Sequence, residues 1–262
     1  MNMDTNKYCA YRFGLVLILS IIGILLFGCI LQPQQTNQTN ITTTNISKNV
    51  TIHNATFFNQ SLAVDLSEFI KAGCVKEGSH LNCSGAGLEE KFSCETIQEA
   101  DNLGGLTPNV PIVACAFKKK DQNEPGGISR LGCLMPIYNK YIILDKGEFK
   151  AINTKEEFIQ FFAPVETPAE ALGFAVALTS SHASYDTHIP ENYTAFVSEI
   201  EPTYVEDING SFKVHLFDQQ VCGCGNHSYY SIDYLVTNDG NGTIIGSQKL
   251  YENPSLAGMC ID

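Results

Sequence analysis

Residues 167–180 read TPAEALGFAVALTS. Thr167, with Glu170 three places on, forms a capping box, and Pro168 takes the first helical position, where its missing N–H is no loss. The rest of the segment is apolar on most sides, the pattern of a helix buried against a sheet. A second capping box, Thr154 to Glu157, opens another helix just upstream, which carries Phe158, Ile159, Phe161 and Phe162.

Downstream of the buried helix the chain reads as an antiparallel meander, with candidate strands at 195–200, 203–206, 212–217, 229–236 and 243–250. The turns carry fitting residues, Asn209-Gly210 and the 238–242 run NDGNG. At the level of architecture, one buried helix followed by four or five antiparallel strands resembles the cystatin-like α/β rolls, a likeness that implies no function. Upstream, 141–144 and 148–152 flank Asp145-Lys146-Gly147 as a β-hairpin, and 112–117 reads as a short buried strand. Two further helices are expected. Residues 61–72 (SLAVDLSEFIKA) place Leu62, Leu66, Phe69 and Ile70 on one face before Gly73, and 88–100 form the other. The expected fold class is α+β: a small disulfide-rich lobe over 61–140, and a lobe over 141–262 with a helix packed on a β meander.

Eight of the ten cysteines follow residue 31: Cys74, Cys83, Cys94, Cys115, Cys133, Cys222, Cys224 and Cys260. Five fall in the first half of that stretch and three in the second. Both numbers are odd, so if all eight are oxidised within one chain, at least one disulfide joins the halves. Composition alone leaves 105 pairings open. Such cysteine density points to an oxidising compartment.

The apolar run at 13–31, FGLVLILSIIGILLFGCIL, carries no charge and spans about 28 Å as a helix, one hydrocarbon core. Lys7 and Arg12 precede it and no basic residue follows until Lys48, so residues 1–12 are expected in the cytoplasm and the remainder outside. The run reads either as a transmembrane signal-anchor or as a lipoprotein signal, in which Cys29 after Leu-Phe-Gly becomes lipidated. Residues 32–60 are rich in Asn, Thr and Gln and read as a disordered stalk, too polar to offset the entropy of ordering. Eleven N-x-S/T sequons mark candidate glycosylation sites: Asn37, Asn40, Asn45, Asn49, Asn54, Asn59, Asn82, Asn192, Asn209, Asn226 and Asn241.

Beyond residue 31 the chain carries 27 acidic and 14 basic residues, a balance that repels nucleic acid phosphate and anionic lipid headgroups. The expected partners are the membrane, through the anchor, and an unidentified protein or glycan. No cofactor is implied, and no glycine loop of the GxxxxGK[ST] or GxGxxG kind occurs.

Three constellations are candidates for chemistry, each beside a plainer reading. Cys222, Cys224 and His227 in VCGCGNH have donor types suited to a soft metal, with His215 or Cys260 as a fourth ligand, or to a thiol–disulfide couple. The plainer reading puts each cysteine in its own structural disulfide. His182, Ser184, Asp186 and His188 in HASYDTH supply the parts of a hydrolytic centre, although such residues are common in loops and no G-x-S-x-G elbow accompanies them. The 238–242 run has oxygen donors for calcium but lacks the distal Glu, and a hairpin turn explains it better.

Overall fold

The computed structural model describes residues 54–121 and 124–261. These residues are mostly β. The first half holds β1 (Ala55–Phe57), α1 (Ser67–Lys71), β2 (Val75–Glu77), β3 (His80–Asn82), α2 (Leu88–Phe92), β4 (Thr96–Glu99), β5 (Ile112–Phe117), β6 (Ser129–Leu131), β7 (Ile137–Asp145) and β8 (Glu148–Ile152). After it come α3 (Lys155–Phe162), α4 (Pro168–Leu178), β9 (Thr194–Ala195), β10 (Tyr204–Ile208), β11 (Ser211–Gln219), β12 (Gly223–Cys224), β13 (Tyr229–Val236), β14 (Gly242–Glu252) and β15 (Cys260–Ile261).

Both main sheets are antiparallel. In the first, β2, β3, β4, β5 and β7 lie side by side, and the far edge of β7 pairs with β6 near its start and β8 near its end. In the second the order is β1-β10-β11-β13-β14-β9, so the meander begins with a strand from the N-terminal side of the body. β12 and β15 form a two-stranded ribbon at the C-terminus.

α4 lies between the two sheets. Leu172, Phe174, Ala175 and Leu178 are buried with Ile112, Ala114, Tyr141 and Ile143 of the first sheet and with Val205, Val214, Leu216 and Val236 of the second. Such a helix must be apolar all round, as 167–180 is. Its start matches the sequence: the Thr167 hydroxyl accepts from the Glu170 amide at 3.2 Å, and the Glu170 carboxylate accepts from the Thr167 amide at 2.9 Å. α3 begins the same way, the Thr154 hydroxyl accepting from the Glu157 amide.

The first sheet is buried on both faces, so β5 reads as a continuous apolar run. Ile112 and Ala114 face α4, while Val113 and Cys115 face a second core with Phe69, Leu81 and Leu88. Two disulfides sit in that smaller core, Cys74–Cys83 and Cys94–Cys115.

Several elements differ from the sequence expectation. Within 61–72 only Ser67–Lys71 is helical. The Asp65 carboxylate accepts from the Ser67 amide at 2.8 Å and starts the helix there, while the Leu62 carbonyl accepts from the Gly104 amide instead of a helical partner. The helix expected over 88–100 ends at Phe92. Ser93 takes a left-handed φ of 54°, and β4 then pairs with β5, where Cys94 is crosslinked to Cys115. Residues 195–200 shrink to β9 on the outer edge of β14, and 203–206 becomes β10. β7 runs unbroken across residues 140 and 141, so the first sheet continues past the expected lobe boundary.

Candidate functional site

The stretch richest in candidate donors lies between β11 and β13. Cys222 is bonded to Cys133 across 89 residues of sequence, and Cys224 to Cys260 across 36. Cys133–Cys222 is the crosslink between halves that the odd counts require. His227 sits at φ 48° and is fully buried. Its Nδ1 lies 3.1 Å from the Gln220 carbonyl oxygen and its Nε2 3.2 Å from that of Met259, so the ring ties this connection to the C-terminal segment. Among the described residues no three His, Cys, Asp or Glu side chains are grouped to hold a metal. The arrangement locks two chain segments together.

The 182–188 loop lies against the second sheet. His182 exchanges backbone hydrogen bonds with Phe217 at 2.8 Å, extending the sheet by one bridge. The Ser184 hydroxyl donates to the Asp186 backbone carbonyl at 2.9 Å, and the Asp186 carboxylate accepts from the His188 amide at 2.9 Å. These are turn bonds, and Ser184 is directed at a carbonyl rather than an imidazole. His182, Ser184, Asp186 and His188 do share a cavity with Tyr229 and Tyr251, but its volume is about 60 Å³. That is room for water-sized groups and too little for a sugar ring or a peptide side chain.

The outer face of the second sheet carries a polar cluster that sequence spacing did not single out. β11 and β13 pair with His215 opposite Asp233, and Nδ1 lies 2.7 Å from Oδ1. Tyr204 stacks on the imidazole, 5.0 Å between centroids at 8°, and Phe217 meets it edge-on. One pair further along, Lys213 bridges Glu206 at 2.5 Å. The available signal was the alternation in 212–217, FKVHLF, which puts Phe212, Val214 and Leu216 inward and Lys213, His215 and Phe217 on the opposite face. The carboxylate partner, Asp233, comes from 18 residues away and Tyr204 from a separate strand, beyond any local pattern.

The hydrogen bond from His215 holds the Asp233 carboxyl below its ordinary range, against the opposing effect of burial and with help from the His215 and Lys213 charges. A carboxylate so depressed contributes stability above its unfolded value, near 4, and loses it as pH falls through the folded value. Asp233→Asn is therefore expected to be less stable than the parent at pH 7, with the gap closing on acidification to pH 3. Urea unfolding at the two pH values checks this, and a gap that widens in acid refutes the assignment.

A groove runs along the seam between the sheets, from the β6 edge to the β14 edge, past the C-terminus of α4. Its largest depression, about 550 Å³, is bordered by Ser129, Arg130, Ser180, Ser181, Asp218 and Ile244. Ser180 also borders the two adjoining depressions, and its hydroxyl donates to the Arg130 carbonyl at 2.8 Å. The lining of this depression is rich in hydroxyls, with Arg130, Lys155 and Asp218 as its charged groups, and suits contact with a polar ligand.

The apolar run at 13–31, Cys29, and the sequons Asn37, Asn40, Asn45 and Asn49 lie outside the described residues. Of the other sequon asparagines, Asn54, Asn59, Asn82, Asn192, Asn209 and Asn241 are exposed, while Asn226 is half-buried and donates to Glu252 at 2.6 Å. No helix among the described residues is long and apolar enough to cross a membrane.

No family model, curated protein or solved structure matches this chain. Its class is defined by the fold alone: a mostly β, disulfide-rich body whose four crosslinks suit an extracellular or otherwise oxidising compartment.

Proposed function

We propose that this chain is a membrane-tethered, glycosylated extracytoplasmic protein whose body acts as a non-catalytic binding or envelope module. The observation that carries the reading is the pairing of every cysteine after residue 31 into four disulfides, one of which crosslinks the two halves of the body. Six exposed sequon asparagines and the charge asymmetry around 13–31 support the same compartment. The hydroxyl-lined groove along the sheet seam is the surface this reading assigns to a protein or glycan ligand. The alternative, a metal or thiol–disulfide site at Cys222, Cys224 and His227, needs thiolates where the fold places crosslinks.

Fractionation tests the reading. The chain is expected in the membrane fraction after an alkaline wash, with its body cleaved by protease added to intact cells, glycopeptides at exposed sequons, and no thiol after residue 31 open to alkylation. A cytosolic, unglycosylated chain with free thiols would refute it, and stoichiometric metal at Cys222 and Cys224 would transfer the assignment to the alternative.

A further inference from the structure

We propose that the turn joining β6 to β7 is a docking loop that seats Leu134 and Met135 in the headgroup region of a phospholipid bilayer. Leu134 is 87% and Met135 75% exposed, and Leu131 and Ile137 are exposed at the base of the same turn. Single exposed apolar side chains are ordinary in folded proteins. Four within seven residues, at the tip of one hairpin, form a patch that water does not favour.

The tip is held in place. Cys133, next to Leu134, is crosslinked to Cys222, and Arg130 Nη2 donates to the Cys133 carbonyl at 2.9 Å. A protruding apolar tip on a fixed base fits a soft bilayer surface, which closes around it without a matching pocket.

Charge singles out the same end of the sheet. β5 runs antiparallel to β7 with Phe117 opposite Tyr138, so Lys118, Lys119 and Lys120 leave β5 alongside the turn, while Arg130 faces Tyr138 from β6. Lys119 Nζ lies 5.7 Å from the Tyr138 ring. The acidic groups nearby are Glu95, paired with Lys118 at 3.0 Å, Glu124 and Asp121, which accept from the Lys120 and Glu124 amides, and Asp218, which borders the same depression as Arg130 and Leu131. Charge here is balanced, with three consecutive lysines beside the tip, in a chain that carries 28 acidic against 16 basic residues overall. Lysines beside an apolar tip are placed to meet lipid phosphates as the tip inserts.

The inference rests on the tether reading, since 22 residues separate Leu31 from Asn54 and span at most about 75 Å. That length brings a bilayer within reach of the body.

The chain contains no tryptophan, so Leu134→Trp supplies a single indole reporter. The full chain carrying it is reconstituted in vesicles of phosphatidylcholine and phosphatidylglycerol, with or without bromine on the acyl chains. Brominated lipid is expected to quench the emission several-fold, and to quench Ile244→Trp, an exposed position in the groove, little. Adding Lys119→Glu and Lys120→Glu should weaken the quenching of Leu134→Trp. Equal quenching at Leu134→Trp and Ile244→Trp in vesicle-bound chain would overturn the proposal and leave the tip to a protein partner. Flotation after an alkaline wash reads the tether separately. A chain that stays with the vesicles while Leu134→Trp is unquenched refutes the docking loop alone, whereas a chain that washes off but was quenched beforehand refutes the tether alone.

Discussion

Replacing Cys133 and Cys222 together by serine is expected to remove about 4–5 kcal/mol of stability and lower the melting temperature by roughly 10–15 °C. The size follows from chain entropy. The bond closes a loop of 89 residues, the longest of the four, and frees the largest unfolded ensemble when it is lost. Cys74–Cys83 closes only 9 residues, for which the same relation gives a little under about 3 kcal/mol. The two pairs also separate chain entropy from packing. Cys74 and Cys83 are both buried in the smaller core, whereas Cys133 is exposed and Cys222 half-buried. If loop entropy dominates, the Cys133–Cys222 double variant is the less stable of the two. If native packing dominates, the order reverses. Thermal and urea unfolding of the two double variants decide it, and a Cys133/Cys222 variant that melts with the parent would show that the two halves hold together without the crosslink.

Much of this was legible locally. The capping boxes at Thr154 and Thr167 and the apolar run behind the second fix α3 and α4 without reference to the rest of the chain, because cap and burial pattern are both encoded within a few residues. The hairpin at 141–152 and the need for a crosslink between the halves were equally readable. What failed was decided at a distance. Residues 96–99 look helical until Cys94 is tied to Cys115 and lays them against β5. β1 joins a sheet whose other strands begin near residue 194, so no local pattern places it. The His215–Asp233 pair exists only because β11 and β13 align in one register, and a slip of a single residue would turn the two side chains to opposite faces. The 182–188 loop teaches the converse, since residues of catalytic type were legible there and their hydrogen bonds serve a turn.

Phe174→Ala is expected to cost about 3–5 kcal/mol, a large share of the 5–15 kcal/mol that holds a domain together. Phe174 is fully buried near the middle of α4, and its ring meets that of Phe158 edge-on at 5.2 Å. Gly240, in the turn before β14, lies so close that a Cβ there would stand 2.7 Å from Phe174 Cε1, and its φ of 81° already favours glycine. The ring thus joins α3, α4 and the β13–β14 turn, and truncation leaves a cavity that closes only if one of these elements moves. Gly240→Ala should destabilise from the opposite direction, by crowding and backbone strain, at about 1–3 kcal/mol. Phe57→Ala, at an exposed position on the edge strand β1, should lie within about 1 kcal/mol of the parent. Urea unfolding with an unchanged m-value gives the three differences directly. The central placement of α4 requires Phe174→Ala to be the most damaging of the three. Were it to unfold within about 1 kcal/mol of the parent, the ring could not be enclosed between α3 and the β13–β14 turn, because a ring so buried cannot be removed so cheaply.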